Sequence, residues 1–259
     1  MTKGRSPLKN PPLRNPGEGL QEQLNETIND KAVPYIILLI FMPVWLIYEW
    51  VRHLGIYSIP IYSVTLVAVV FFAISIRMLF VYRRVARNLN RGIKAEKSVG
   101  QYLEQFRVLG YQIFHDIPGD NGDKKFNIDH AIIGPKGIFT IETKYHQKPA
   151  KGQTKILYDG QQISINGSVP DRNPIVQAIA QAAYLRDLLT QSTGKTFSIR
   201  PTVICPGWFV ENNVRSARVW VLNEKALGAF IDNQNETLSE SDIHLASFSL
   251  SRYIQSTLK

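Results

Sequence analysis

The sequence predicts an α/β domain with a mixed central sheet, carried behind a hairpin of two transmembrane helices. Three observations lead there. Two uncharged stretches, residues 32–48 and 54–76, stand in tandem near the N-terminus. Short β-branched and apolar runs alternate with helix-period segments through the remainder. Clusters of Gly, Pro, Asn and Asp separate those segments as turns.

Composition bounds the reading. Of 259 residues, 44% are hydrophobic, which excludes disorder along the whole chain. A single cysteine, Cys205, can form no internal disulfide and excludes a cysteine-built zinc site. The net charge is +9, from 30 Lys+Arg against 21 Asp+Glu. It is unevenly spread: residues 1–94 hold 12 basic and 5 acidic side chains, net +7, and residues 95–259 hold 18 and 16, net +2. The excess is a juxtamembrane feature, which suits anionic headgroups better than a globally basic nucleic-acid surface.

Residues 1–31 are polar, rich in Pro and Gly and without periodicity, and read as a mobile tail. A bilayer span takes about 20 mainly apolar residues. Within residues 32–82, two helices meet that length at about 33–51 and 58–80, the second starting near Pro60. Tyr35, Trp45, Tyr48, Trp50, Tyr57 and Tyr62 suit the interfaces. The first stretch starts too late and runs too long for a cleaved signal peptide. Residues 83–94 form a basic linker: Arg83, Arg84, Arg87, Arg91 and Lys94 have no acidic neighbour, whereas the loop between the spans carries only Arg52. The bias toward positive charge inside puts both termini in the cytoplasm.

Beyond the linker, Ile93, Val99, Leu103, Phe106 and Leu109 recur at helical spacing and Gly110 ends that helix. Residues 111–117 read as a strand and 118–125 as a turn-rich loop. Residues 126–133 and 138–144 are apolar strands joined by Gly134-Pro135-Lys136-Gly137, a hairpin. A second hairpin spans 155–165, turning at Asp159-Gly160. Asn173-Pro174 opens a helix to about Gln191. Residues 198–205 and 219–222 are strands, Asn223 caps a short helix, and Ser239 with Asp242 begins the last one.

The first hairpin carries the chemistry. Pairing Gly134 with Gly137 sets Asp129 opposite Glu142, on one face. Lys144, two residues on, shares that face. Opposed like charges repel, so the pair calls for neutralisation. Lys144 supplies one positive charge, and a hard divalent cation supplies two and accepts carboxylate oxygens. The strands around them are apolar, and buried charges need a reason. A structural bridge from Lys144 to the carboxylates satisfies the spacing equally well.

Asn-Ile-Asp129-His, the Gly-Pro-Lys-Gly turn and Ile-Phe-Thr-Ile-Glu142-Thr-Lys144 resemble the NERD domain, the nuclease-related domain of the PD-(D/E)xK superfamily. Glu96 and the Asn173-Pro174-x-x-Gln177 helix start extend the resemblance over about 95–195. Residues 196–259 are then a C-terminal α/β extension on the same domain. The resemblance implies a restriction-endonuclease-like fold and magnesium-dependent hydrolysis of phosphodiester bonds, DNA before RNA. Asp129 and Glu142 would bind the metal. Lys144 would orient or deprotonate the attacking water, or stabilise phosphorane charge. Glu96 would complete the metal site or position a water. Gln177 would contact the water or the scissile phosphate.

Other residues take plainer readings. His130 points away from Asp129 and packs. His146 and Lys148 touch phosphate or sit in a solvated loop. Gln181 and Tyr184 follow Gln177 at imperfect spacing, and Tyr184 reads as core. Lys151 and Lys155 line a groove or a solvated strand edge. Trp208 and Phe209 stay open between core, membrane and partner. Two other functions remain open: a non-catalytic module binding nucleic acid or protein at the membrane, and a membrane sensor.

Overall fold

The computed structural model describes residues 12–55, 61–122, 125–148, 155–214 and 217–258. The chain divides into two compact units. The first joins the N-terminal residues up to Glu18 with Gly92–Lys259, and the second is Gly19–Arg91.

The second unit is helical. It contains most of α1 (Glu18–Glu26), a π-helical turn (Thr27–Ala32), α2 (Val33–Gly55) and the start of α3 (Ile61–Glu104). Tyr35 meets Tyr82 with ring centroids 5.8 Å apart, and the Trp50 indole donates to Thr65 Oγ1 at 3.1 Å. The two contacts run α2 and α3 antiparallel. Small Ala68 and Ser75 are buried, while Ile40, Val44 and Ile47 are more than 60% exposed. A soluble core helix would bury such a face, so these are two helices long and apolar enough to cross a membrane.

The first unit contains a five-stranded mixed sheet in the order β1-β2-β3-β6-β8: Gln112–Asp120, Lys125–Gly134, Gly137–Thr143, Ile199–Ile204 and Trp220–Leu222. β1, β2 and β3 run antiparallel in turn, and β6 and β8 join parallel to β3. A second sheet of β4 (Lys155–Tyr158), β5 (Ile163–Ile165) and β7 (Phe209–Asn212) has the order β5-β4-β7. Helices α4 (Pro174–Thr193), α5 (Leu227–Asp232) and α6 (Glu240–Thr257) complete the unit. On one face of the main sheet Val99, Leu103 and Phe106 pack with Ile132, Phe139, Ile141 and Leu227. On the other, Leu185, Leu189, Leu250 and Ile254 pack with Ile128, Ala131, Ile133 and Ile138. Both faces being covered explains why β3 is buried throughout.

Several expectations are corrected. Residues 12–31 are no mobile tail: α1 begins at Glu18 and Arg14 is buried, because its guanidinium has a carboxylate partner. Residues 1–11, including Pro7 and Pro11, lie outside the described residues, as do Tyr57, Pro60 and Lys151. The linker at 83–94 is helical, as part of α3. Arg, Ala, Leu and Lys favour helix, no proline intervenes, and Gly92 alone costs only about 1 kcal/mol. The expected separate helix at 92–109 is the end of α3 followed by a 3₁₀ turn (Gln105–Leu109). The loop expected over 118–125 is shorter, since β1 continues to Asp120 and β2 starts at Lys125, their backbones pairing Asp120↔Lys125. β7 was not foreseen; it joins the expected 155–165 hairpin in a second, three-stranded sheet. Residues 196–259 are more than an extension, because β6 and β8 supply two strands of the main sheet.

Candidate active site

The β2–β3 hairpin has the register that the tight turn implies, from Gly134↔Gly137 to His130↔Ile141. There the ladder opens. Asp129 next along β2 turns its carboxylate to the Thr143 amide, which donates to Oδ2 at 2.6 Å. Glu142 points to the α4 face and is 3% exposed. Lys144 Nζ reaches Glu142 Oε1 at 2.5 Å and donates to Gln177 Oε1 at 2.9 Å. The Lys144 amide donates to Ile204 O at 2.8 Å, tying the strand end to β6.

α4 supplies the amide side chains. Asn173 caps it, accepting from the Ile175 amide at 2.9 Å, and Pro174 sits in the first turn, where its missing N–H costs nothing. Small Ala178 and Ala182 are buried against the sheet. Gln177 and Gln181, one turn apart, therefore face the same place. Gln181 Nε2 donates to Glu142 Oε2 at 2.5 Å and to Asn127 O at 3.2 Å. Its Oε1 is buried with no hydrogen-bond partner among the described residues.

Glu96 approaches from α3 and is buried. Burial, then the neighbouring charges of Asp116 and Glu142, push its carboxyl up to about 8, against the pull of Lys144. Desolvation, then Glu142 and Glu96, hold Asp129 well above the usual carboxylate range. Three carboxylates thus share one region with a single ammonium, the charge imbalance that a cation relieves. Carboxylate oxygens and the orphaned amide oxygen of Gln181 are hard donors, of the kind a divalent cation takes. Among the described residues no three such side chains are already gathered on one point.

Of the five expected site residues, Lys144 contacts both Glu142 and Gln177, and the charges of Glu96, Asp129 and Glu142 lie near enough to act on one another. Gln181 belongs with them more closely than its spacing suggested. Asp116 was overlooked: an acid inside a largely apolar strand, between Phe114-His115 and Ile117, was the signal. It is buried, adopts a positive φ of 49°, and accepts from Asn127 Nδ2 at 2.8 Å. Outside the site, His130 is fully buried, its Nδ1 2.9 Å from His115 Nδ1. Burial holds both imidazoles below their ordinary range. Tyr184 is structural, its hydroxyl 2.8 Å from that of Tyr253 and its ring packed on Phe126. Lys155 pairs with Glu211. Trp208 is core, donating to His146 O at 3.1 Å, whereas Phe209 is exposed.

Residues 91–206 match the family model described as NERD, nuclease-related domain. No curated protein and no solved structure is significantly similar to the chain. The match contains Glu96, Asp129, Glu142, Lys144 and Gln177, and it runs past the expected boundary at 195 to take in β6. Such a domain implies a nuclease-like function, a nucleic-acid partner and a divalent cation. It is to the nuclease-related domain family that residues 91–206 of this chain are similar.

Proposed function

We propose that the protein is a membrane-anchored nuclease that hydrolyses phosphodiester bonds with magnesium, acting on DNA in preference to RNA. The observation that carries this is the meeting of Glu96, Asp129, Glu142, Lys144 and Gln177, drawn from α3, β2, β3 and α4. Structural ion pairs alone would not gather three acids around one lysine at a desolvation cost.

Asp129 and Glu142 would hold the cation, with Glu96 completing the shell or positioning a water. When bound, the ion polarises a phosphoryl oxygen and lowers the pKa of water. Lys144 spends two of its three N–H donors on Glu142 and Gln177, which fixes its direction. The third is available to a phosphoryl oxygen or the attacking water, where positive charge stabilises the transition state. Gln177, tied to Lys144, is placed to orient the same water or the scissile phosphate.

The anchor would be the α2–α3 hairpin, with the nuclease unit cytoplasmic and Arg83–Lys94 against anionic headgroups. The test is cleavage by the full chain in detergent, against single- and double-stranded DNA and RNA, with and without magnesium. Magnesium-dependent cleavage by the parent and none by Glu142→Gln is expected. A parent inert on every substrate and ion would leave a non-catalytic binding module instead.

A further inference from the structure

Residues 12–17 precede the first apolar helix, yet they fold into the unit that holds the site. Arg14 is 7% exposed and its guanidinium meets the Asp116 carboxylate at 2.6 Å. From there contacts continue without a gap. Asn127 Nδ2 donates to Asp116 Oδ1 at 2.8 Å, and Asn127 O accepts from Gln181 Nε2 at 3.2 Å. The same Gln181 nitrogen donates to Glu142 Oε2 at 2.5 Å. A second line reaches Glu96. Gly17 lies so near that a Cβ added there would stand 3.5 Å from Glu96 Oε2. Pro16 covers Gly100 closely enough that a Cβ on Gly100 would be 2.4 Å from Pro16 Cγ.

We infer that residues 14–17 are a strap completing the nuclease site, and that Arg14 is a positioning residue acting through Asp116, Asn127 and Gln181 on Glu142. The inference rests on the nuclease reading above. Its physical basis is the cost of breaking a buried ion pair: without the guanidinium, the buried Asp116 carboxylate near Glu96 loses its Arg14 counter-charge. Asp116 must then draw in water or other donors, Asn127 loses its fixed partner, and Gln181 no longer sets the Glu142 carboxylate. Arg14 acts on Glu142 through Asp116, so its removal acts on turnover while leaving the nucleic-acid surface intact.

The experiment compares the full-length parent with Arg14→Ala, Arg14→Lys, Asp116→Asn and the double variant Arg14→Ala/Asp116→Asn, all in detergent with magnesium. Arg14→Ala should lower kcat about tenfold with KM for nucleic acid unchanged. Arg14→Lys, which restores the charge, should recover most of the loss. The double variant should be no slower than the slower single one, since both cut the same chain of contacts. Parental kcat in folded Arg14→Ala overturns the strap, as does a double variant whose losses multiply. If Arg14→Ala does not fold, Asp116→Asn carries the same comparison, reduced kcat supporting the strap and parental kcat overturning it. A parent that cleaves nothing fails the nuclease reading, and hydrogen exchange then judges the strap by itself. Arg14→Ala should speed exchange of the Thr143 amide while β6 is unchanged, and an unchanged Thr143 overturns the strap.

Discussion

Glu142 and Asp129 can each be tested by the exchange of a carboxylate for its amide. Glu142→Gln keeps the shape but loses the charge that faces Lys144, and Asp129→Asn does likewise beside the Thr143 amide. Both should weaken magnesium binding in calorimetric titration and lower cleavage by about a hundredfold or more. Lys144→Ala should still bind the metal while losing turnover, because a competing cation has gone. Glu96 adds a pH signature. Its carboxyl, raised from 4.5 to about 8, takes up a proton on folding. Stability from this source is present at low pH and lost as pH rises through about 8. Metal-free protein should therefore melt at falling temperatures between those values. Glu96→Gln should flatten the slope, as thermal melts across pH would show. Asp129, Glu142 and Lys144 were legible from sequence because one tight turn fixes their register. Asp116 and Arg14 were not, since their pairing joins segments a hundred residues apart and no local pattern encodes it.

The elements that hold these side chains were read best where a cap or turn has its own chemistry. Asn173, Asn223 and Ser239 each accept the amide bond expected of a helix N-cap. Asn173→Ala should cost about 1 kcal/mol by denaturant titration. It should also loosen the α4 turn that presents Gln177, so activity should fall with stability. α3 was read less well. Its apolar and basic halves differ so much in composition that they looked like separate elements, whereas backbone propensity is blind to that difference. β7 is only four residues long, with Phe209 exposed, and no alternation marks it. Gly100 gives the element-scale test of the strap. Because a prolyl ring cannot swing aside, Gly100→Ala should displace Pro16 and destabilise the protein by about 1–3 kcal/mol. Limited proteolysis should then cut near residue 16.

For the molecule as a whole, charge asymmetry and two long apolar helices mark out a helical N-terminal unit from the sheet-bearing one, and the boundary between the two units falls within α3, at Arg91. Orientation can be measured against a quiet background. Cys205 is buried, and burial pushes its thiol up to about 12, so it should not react with maleimide. With Gln255→Cys, an impermeant maleimide should label only permeabilised cells. With Arg52→Cys it should label intact ones. The reverse pattern would invert the proposed orientation.

The seat of Arg14 on Asp116 has a consequence in counting. The chain leaves the sheet unit at Glu18 and is back in it at Gly92. A path that departs from and returns to one folded body must pass through any intervening bilayer an even number of times. One crossing, or three, is incompatible with that ion pair by connectivity alone, whatever the charges of the flanking loops. Under the proposed two-crossing anchor, deleting residues 33–55 would change the parity, and the protein would have to give up either the remaining crossing or the contact between Arg14 and Asp116.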